Sequence, residues 1–184
     1  MFETILRQSK TERKVFQSRT LSRTMSTVAD FIKREEHNEL QLAEFMQWEY
    51  MESQVKGSAY DYIAPDTSKI EAKFDWDSIK TGNHYLEFAQ TNNNKKTWVP
   101  SGFSLSSGDA DYWVVINEDW LRMYHMNHLK AFIEDSRSSL EVKETRAGIN
   151  SNQSGQYSKA YIIPFGILDS ICFAKFRNPI VRSK

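Results

Sequence analysis

Cysteine, proline and glycine are scarce in this chain of 184 residues, with one, four and seven copies respectively. The single cysteine, Cys172, excludes an internal disulfide framework and a cysteine-based zinc site. It lies in the apolar run Ile171-Cys172-Phe173-Ala174, where a buried and inert thiol is expected. Aromatic residues make up 13% of the chain, which argues against disorder over its whole length.

Long apolar runs are missing as well. No stretch is long enough to cross a bilayer and the N-terminus is polar after Phe2, so no membrane contact and a cytoplasmic location are expected. The chain also has no Gly-rich phosphate loop and no Gly-x-Ser-x-Gly elbow. Nucleotide-fuelled chemistry and serine hydrolysis therefore have no basis in the sequence.

The pattern of apolar and turn-forming residues predicts one α/β or α+β domain over residues 1–184. Its N-terminal region, 1–55, is predicted to be helical, with helices over 1–18 and 25–52. A β-rich core, 56–117, contains a hairpin and further strands over 83–89 and 111–117. The remainder, 118–184, is predicted as a helix from Glu118 to Glu134, a polar loop from Glu141 to Lys159, a last strand ending at Pro164, a short helix and a basic tail.

The pentad Ile70-Glu71-Ala72-Lys73-Phe74, with Asp61 ten residues before Glu71, carries the most informative chemistry of the chain. Because side chains alternate along a strand, Glu71 and Lys73 are predicted to project to the same side of a sheet. The turn formers Pro65-Asp66-Thr67-Ser68 make residues 59–64 and 69–75 the two strands of a hairpin.

The length of that turn decides whether Asp61 joins the pair. A three-residue turn, Pro65 to Thr67, places Asp61 opposite Glu71 on the same face. A two-residue turn pairs Asp61 with Ala72 and directs it away. A shared site thus requires the odd-numbered turn, and Asp61 is preferred to Asp66, which lies within the turn.

An acid on one strand and an acid with a lysine on the next suit hydrolysis of a phosphodiester. That reaction needs a cation to neutralise the developing charge and to activate water. Mg²⁺, for which Mn²⁺ substitutes, keeps several waters and needs only one or two carboxylates and a carbonyl from the protein. Asp61, Glu71 and the main-chain oxygen of Ala72 are the predicted ligands, and Lys73 is predicted to orient or deprotonate the water.

Further segments follow in a characteristic order: Asp75 after the lysine, then Thr81-Gly82-Asn83-His84-Tyr85-Leu86-Glu87-Phe88, Ser101-Gly102-Phe103 and Ala110-Asp111-Tyr112-Trp113. The order E-x-K-x-D, T-G-N-x-x-x-E, S-G, A-D-Y resembles small, often phage-encoded members of the PD-(D/E)XK nuclease superfamily. The similarity spans about half the chain.

The resemblance implies a restriction-endonuclease-like fold, with a central mixed β-sheet flanked by helices, and divalent-metal cleavage of DNA. It makes Asp61 and Glu71 metal ligands and Lys73 the catalytic lysine. Many members add a glutamate from a helix before the first acid, for which Glu44 or Glu49 is the expected counterpart. Glu87 is expected either to support the metal ligands from behind or to be exposed.

Basic residues collect at both ends of a chain whose formal net charge is zero. This suits a metal site flanked by phosphate-binding segments, and suits ordinary charged termini equally well. Within the polar loop, Lys143, Arg146 and Lys159 are expected to line the path of DNA.

Other functions remain open at this point. A Holliday-junction resolvase of the same superfamily would act on branched DNA as a homodimer, and a non-catalytic DNA-binding protein would keep only the fold. His125 and His128 are three apart on the predicted helix, but without a third ligand they are expected to pack or to face solvent. His84 is expected to pack beside the core, with contact to substrate as the alternative.

Overall fold

The computed structural model describes residues 28–51, 59–76, 78–92, 95–146 and 156–180, and for residues 28–35 it describes the backbone alone. The described chain contains two β-sheets and five α-helices, three of them a single turn long. In chain order the elements are α1 (Val28–Met46), β1 (Glu49–Tyr50), β2 (Tyr62–Ile63), β3 (Lys69–Phe74), α2 (Ser78–Thr81), β4 (Asn83–Thr91), β5 (Val99–Pro100), α3 (Phe103–Ser106), β6 (Tyr112–Ile116), β7 (Trp120–His125), α4 (Met126–Ser136), β8 (Glu141–Arg146), β9 (Tyr157–Pro164), α5 (Phe165–Leu168), a 3₁₀ turn (Asp169–Ile171) and β10 (Ala174–Arg177).

Six strands form a mixed sheet in the order β1-β2-β3-β6-β7-β10. β3 and β6 run parallel, and the other neighbouring pairs are antiparallel. The parallel pair requires a long connection, which α2, β4, β5 and α3 supply. The α/β class with a mixed central sheet is thereby confirmed.

A second sheet of four antiparallel strands has the order β5-β4-β9-β8. This sheet was not predicted from the sequence as a separate layer. β4 and β9 pair along their whole length, with a bulge between Glu87 and Ala89 that interrupts the ladder.

Both faces of the mixed sheet are buried at its central strands β6 and β7. One face is covered by Leu42, Ala43 and Met46 of α1. The opposite face meets the four-stranded sheet and α4, where Trp113 and Tyr124 pack in one cluster with Leu86, Ile163 and Leu129. Large apolar side chains buried in this way contribute about 1.5–3 kcal/mol each to folding.

The predicted helix from Glu118 to Glu134 is wrong in its first half, because Trp120–His125 forms β7 and α4 begins only at Met126. Asn117 makes the turn before β7, since its Oδ1 accepts hydrogen bonds from the N–H groups of Asp119 (3.1 Å) and Trp120 (2.9 Å). β7 lies between β6 and β10 with both faces covered, so it lacks the polar–apolar alternation that marks a half-exposed strand.

The predicted polar loop from Glu141 to Lys159 is also wrong at both of its ends. Glu141–Arg146 forms β8, which pairs with β9 from Tyr157 onward, and residues 147–155 lie outside the described residues. β8 is an edge strand in which nearly every residue is exposed. Its residues are therefore mostly polar, as those of a loop would be. β9 is not the last strand, because Ala174–Arg177, predicted as basic tail, forms β10.

The predicted helix over 25–52 is confirmed from Val28 to Met46 and ends there. Gln47 takes a left-handed φ of 57°, and the Trp48 N–H donates to the Ala43 carbonyl at 2.9 Å, a bond pattern that closes helices. The predicted helix over 1–18 falls outside the described residues. Within the described ranges no helix has both the length and the apolar character needed to span a bilayer.

Candidate functional site

The hairpin of β2 and β3 has the odd-numbered turn that a shared site requires. Tyr62 pairs with Ile70, which is the register that a three-residue turn predicts; Asp61 lies just before this ladder, and its charge acts on Glu71. The Ala64 N–H donates to the Ser68 carbonyl at 2.9 Å, which leaves a three-residue turn from 65 to 67.

Within the turn, Asp66 Oδ1 accepts a hydrogen bond from the Ser68 N–H at 3.0 Å. Asp66 therefore stabilises the turn and is exposed. The preference for Asp61 over Asp66 as the first acid agrees with this geometry.

Asp61 is tied to the facing strand through its side chain. The Ala72 N–H donates to Asp61 Oδ2 at 2.9 Å, while the Asp61 N–H donates to the Ile70 carbonyl at 2.8 Å. In a strand, the N–H and C=O of one residue point to the same side, so the Ala72 carbonyl opens toward Asp61 where β2 no longer pairs. The Asp61 carboxylate and the Ala72 carbonyl thus lie on the same side of β3, the side that faces β2.

Glu71 and Lys73 lie on the same face of β3, as predicted, and form an ion pair at the floor of a cleft. The Glu71 side chain is 7% exposed and that of Lys73 is 41% exposed. Burial raises the pKa of Glu71 to about 7; the charge of Lys73 opposes this rise and the charge of Asp61 adds to it. Burial acts to lower the pKa of Lys73, but the charges of Glu71 and Asp61 outweigh it and raise that pKa.

Glu39 is the helix glutamate that the structure brings toward this pair, and sequence analysis missed it. Its carboxylate accepts a hydrogen bond from the Tyr50 hydroxyl at 2.5 Å. Burial raises the pKa of Glu39; the Tyr50 hydrogen bond opposes the rise, and the charges of Asp61 and Lys73 also act on it, in opposite directions. Glu39 is therefore electrostatically part of the same cluster.

Glu44 and Glu49, the predicted candidates, are both exposed. Glu44 follows Glu39 by five residues, which rotates it by roughly 140° around the helix. A signal for Glu39 exists in the sequence: it stands three, four and seven residues before the buried Leu42, Ala43 and Met46. A glutamate at that spacing occupies the buried stripe of the helix.

The cleft has a volume of about 560 Å³ and lies between β3, β4 and the segment that leads into α3. Glu87 on β4 lines it, and the Ser101 hydroxyl donates to Glu87 Oε1 at 2.7 Å. Gly102 has a φ of 48°, and a Cβ at this position would lie 2.7 Å from the Glu87 carbonyl oxygen. Glu87 of the T-G-N-x-x-x-E segment and Ser101-Gly102 of the S-G segment thus contact each other at one wall of the cleft.

A buried chain of hydrogen bonds lies behind Lys73. Trp113 Nε1 can only donate, so His84 Nε2 accepts from it at 3.3 Å and the imidazole proton sits on Nδ1. The Nδ1–H donates to Asp75 Oδ2 at 3.1 Å. Lys73 Nζ lies 5.9 Å from the centre of the Trp113 ring. His84 is 1% exposed, so it packs in the core as predicted and helps to hold the wall behind Lys73.

Asp111 fixes the register of β3 against β6. Its carboxylate accepts from the Lys69 N–H at 2.8 Å, and its own N–H donates to the Lys69 carbonyl at 2.8 Å. The resulting register pairs Glu71 with Trp113. The A-D-Y segment therefore positions the acid and the lysine of β3.

The three basic residues predicted to line the path of DNA fall on two faces of the four-stranded sheet. Lys143 on β8 pairs with Ala160 on β9, and Ala160 pairs with Glu87 on β4. Lys143 therefore lies on the same face of the sheet as Glu87, which lines the cleft. Lys159 pairs with Glu144, and Arg146 pairs with Tyr157, on the opposite face. Register thus separates Lys143 from Arg146 and Lys159.

Among the described residues, no three His, Cys, Asp or Glu side chains lie close enough together to form a complete metal cage. His125 and His128 have ring centres 5.2 Å apart, and His128 is exposed. The oxygens of Asp61, Glu71 and the Ala72 carbonyl are of the type that an ion such as Mg²⁺ takes as ligands, with water completing its shell.

Comparisons of the chain with protein-family models, with curated proteins and with solved structures find no match.

Proposed function

We propose that the protein is a divalent-metal-dependent nuclease that hydrolyses phosphodiester bonds of DNA, on a fold of the restriction-endonuclease-like kind. The observation that carries this proposal is that Glu71 and Lys73 pair on one face of β3, while the Asp61 side chain is held against the same strand and its charge acts on both of them. Glu71 and Lys73 line an open cleft rather than a solvent-facing strand.

Asp61, Glu71 and the Ala72 carbonyl would hold a Mg²⁺ or Mn²⁺ ion, and Glu39, which interacts electrostatically with Asp61 and Lys73, would add negative charge near it. A bound ion of this kind would neutralise charge on the phosphoryl oxygens and lower the pKa of a coordinated water. Glu71 has to lose its proton before it binds the ion, and its pKa of about 7 makes this step sensitive to pH near neutrality.

Lys73 acts in its protonated form, because neighbouring carboxylates raise its pKa. An ammonium group donates hydrogen bonds but accepts none. Its role is therefore to orient the attacking water or to stabilise a phosphoryl oxygen, rather than to remove a proton. Of the two roles predicted from the sequence, Lys73 therefore keeps that of orienting the water.

The test is cleavage of labelled single-stranded, duplex and branched DNA by the wild type, by Lys73→Ala and by Lys69→Ala, each with Mg²⁺, Mn²⁺ or EDTA. Lys69 is a matched control, since it lies on the same strand and pairs with Asp109 at 2.5 Å outside the cleft. We expect metal-dependent cleavage that falls by about 10²–10⁴-fold in Lys73→Ala and persists in Lys69→Ala.

The choice of substrates separates the alternatives. Cleavage confined to branched DNA by a dimer would assign a junction resolvase. DNA binding without hydrolysis in any metal would reduce the protein to a binding role, and equal activity of Lys73→Ala and Lys69→Ala would remove Lys73 from the mechanism.

A further inference from the structure

The four-stranded sheet continues beyond the core at the end where β9 begins. On β9, Tyr161 and Ile163 are buried in the core between the sheets. Tyr157 and Lys159 follow the same alternation and lie on the same face, but they are only half-buried. This part of the face therefore meets solvent instead of the mixed sheet.

Two aromatic rings on this face are each covered by a lysine. Lys159 Nζ lies 4.2 Å from the centre of the Trp98 ring, and Lys95 Nζ lies 4.6 Å from the centre of the Tyr157 ring. Trp98 directly precedes β5, and both rings are half-buried. We call Lys95, Trp98, Tyr157 and Lys159 the aromatic–lysine patch.

One carboxylate holds both lysines in place. Glu144 accepts from Lys95 at 2.6 Å and from Lys159 at 3.3 Å, and all three side chains are partly exposed. Arg146 stands two residues further along β8 on the same face and is exposed. Lys95, Lys159 and Arg146 thus bring three positive charges to this face against the one negative charge of Glu144. This excess of positive charge complements a polyanion.

Rings and ammonium groups interleaved at this spacing offer the two contacts that a single polynucleotide strand can use. Unpaired bases stack on exposed aromatic faces, and lysines pair with the phosphates between them. Ion pairs and lysine–ring contacts at exposed sites are weak in water, so a phosphate can replace Glu144 as the partner of either lysine. Paired bases within a duplex are not available for such stacking.

The patch also lies next to the cleft along the chain. Gln90 lines the cleft and pairs with Val99 on β5, and Trp98 is the residue beside Val99. β5 is a two-residue edge strand, so a strand that leaves the cleft past Gln90 reaches Trp98 by crossing that edge.

We infer that the aromatic–lysine patch binds a single-stranded segment of nucleic acid that emerges from the cleft. The inference rests on the proposed nuclease function for the identity of the polymer. The nucleic acid bound in the cleft would then carry a single-stranded extension that reaches the patch.

The probe is a fluorescent oligothymidylate of about twenty nucleotides, whose binding is followed by anisotropy in EDTA so that no cleavage occurs. The variants are Trp98→Ala with Tyr157→Ala, and Trp98→Phe, which keeps a ring. Trp120→Ala is the matched control, because Lys175 and Arg177 cover Trp120 at 4.8 and 4.3 Å at the far edge of the mixed sheet.

We expect the double alanine variant to bind the oligothymidylate at least 10-fold more weakly, with Trp98→Phe and Trp120→Ala near the wild type. The variant Lys95→Gln with Lys159→Gln should lower the slope of log Kd against log salt by about 1–1.5. Circular dichroism of each variant checks that it is folded.

Unchanged binding by the folded double alanine variant or by the double lysine variant would overturn the inference, as would an equal loss in Trp120→Ala. Tighter binding of duplex than of single strand by the wild type would overturn it as well. These outcomes are independent of the nuclease proposal, whose failure appears as absent metal-dependent cleavage in a separate assay.

Discussion

Glu71 is the residue at which stability and the proposed function oppose each other. It is buried at the floor of the cleft, and burial raises its pKa from an ordinary value of 4.5 to about 7. At neutral pH the folded protein therefore carries a carboxylate that would be better solvated in the unfolded chain. Such a cost is typical of groups retained for chemistry rather than for folding.

Stability in EDTA should depend on pH because of this residue. Between pH 4.5 and 7 the folded state binds more protons than the unfolded state, so the free energy of unfolding falls as pH rises through that window. The fall is about 3 kcal/mol at most, since each unit of pKa shift is worth about 1.4 kcal/mol. Glu71→Gln should flatten the window, as measured by urea unfolding at several pH values.

The prediction would be contradicted if the wild type and Glu71→Gln lost stability in parallel between pH 4.5 and 7. Glu71 would then not be the group that titrates in this range. Lys73 does not interfere, because its raised pKa places its own contribution above pH 10.5.

At the scale of elements, the turn of the hairpin was predicted, whereas the helix glutamate was missed although its spacing signals a buried position. Turn formers between two short β-like segments, and the requirement that Asp61 share a face with Glu71, were enough to predict the register. Glu39 was missed because a charged residue within a buried helical stripe looks like a break in the stripe. β7 was missed because a strand buried on both faces, with Leu121 to Tyr124 all enclosed, loses the alternation on which the prediction relied.

Glu39 and Glu44 lie on different faces of α1, so their substitutions are expected to have different effects. Glu39→Gln should reduce metal-dependent cleavage by about tenfold or more, since Glu39 lies near Asp61 and Lys73 and its charge would orient water at the site. Glu44→Gln, on an exposed face of the same helix, should be within twofold of the wild type. Steady-state kinetics of both variants, at saturating Mg²⁺, decide between Glu39 and Glu44.

At the scale of the whole molecule, the cleft is lined by residues of both sheets, with β3 and β6 on one side and β4 on the other. The segment from Ser101 to Ser106 closes one side of it, and this segment approaches β4 closely only because residue 102 lacks a side chain. The second sheet was not predicted as a layer, since its edge strands β5 and β8 are short or exposed on both faces and carry no buried pattern.

Gly102→Ala should therefore damage both stability and activity. Its Cβ would lie 2.7 Å from the Glu87 carbonyl oxygen, in backbone that side chains disfavour, so we expect a loss of about 1–3 kcal/mol in unfolding free energy. Gly166→Ala is the matched control, because no atom lies within 4 Å of a Cβ at that position. Equal stability of the two variants by urea unfolding would show that the approach at Gly102 can relax.

The central claim is that hairpin register, and not mere acidity near the E-x-K triplet, builds the site. It is tested most directly by comparing the cleavage rates of Asp61→Asn and Asp66→Asn, two acids near one hairpin: the charge of Asp61 acts on Glu71, whereas Asp66 stabilises the turn. With Mg²⁺ and labelled DNA, we predict a loss of about 10²-fold or more for Asp61→Asn and near wild-type rates for Asp66→Asn. Undiminished cleavage by Asp61→Asn, or an equal loss in both variants, would contradict the account.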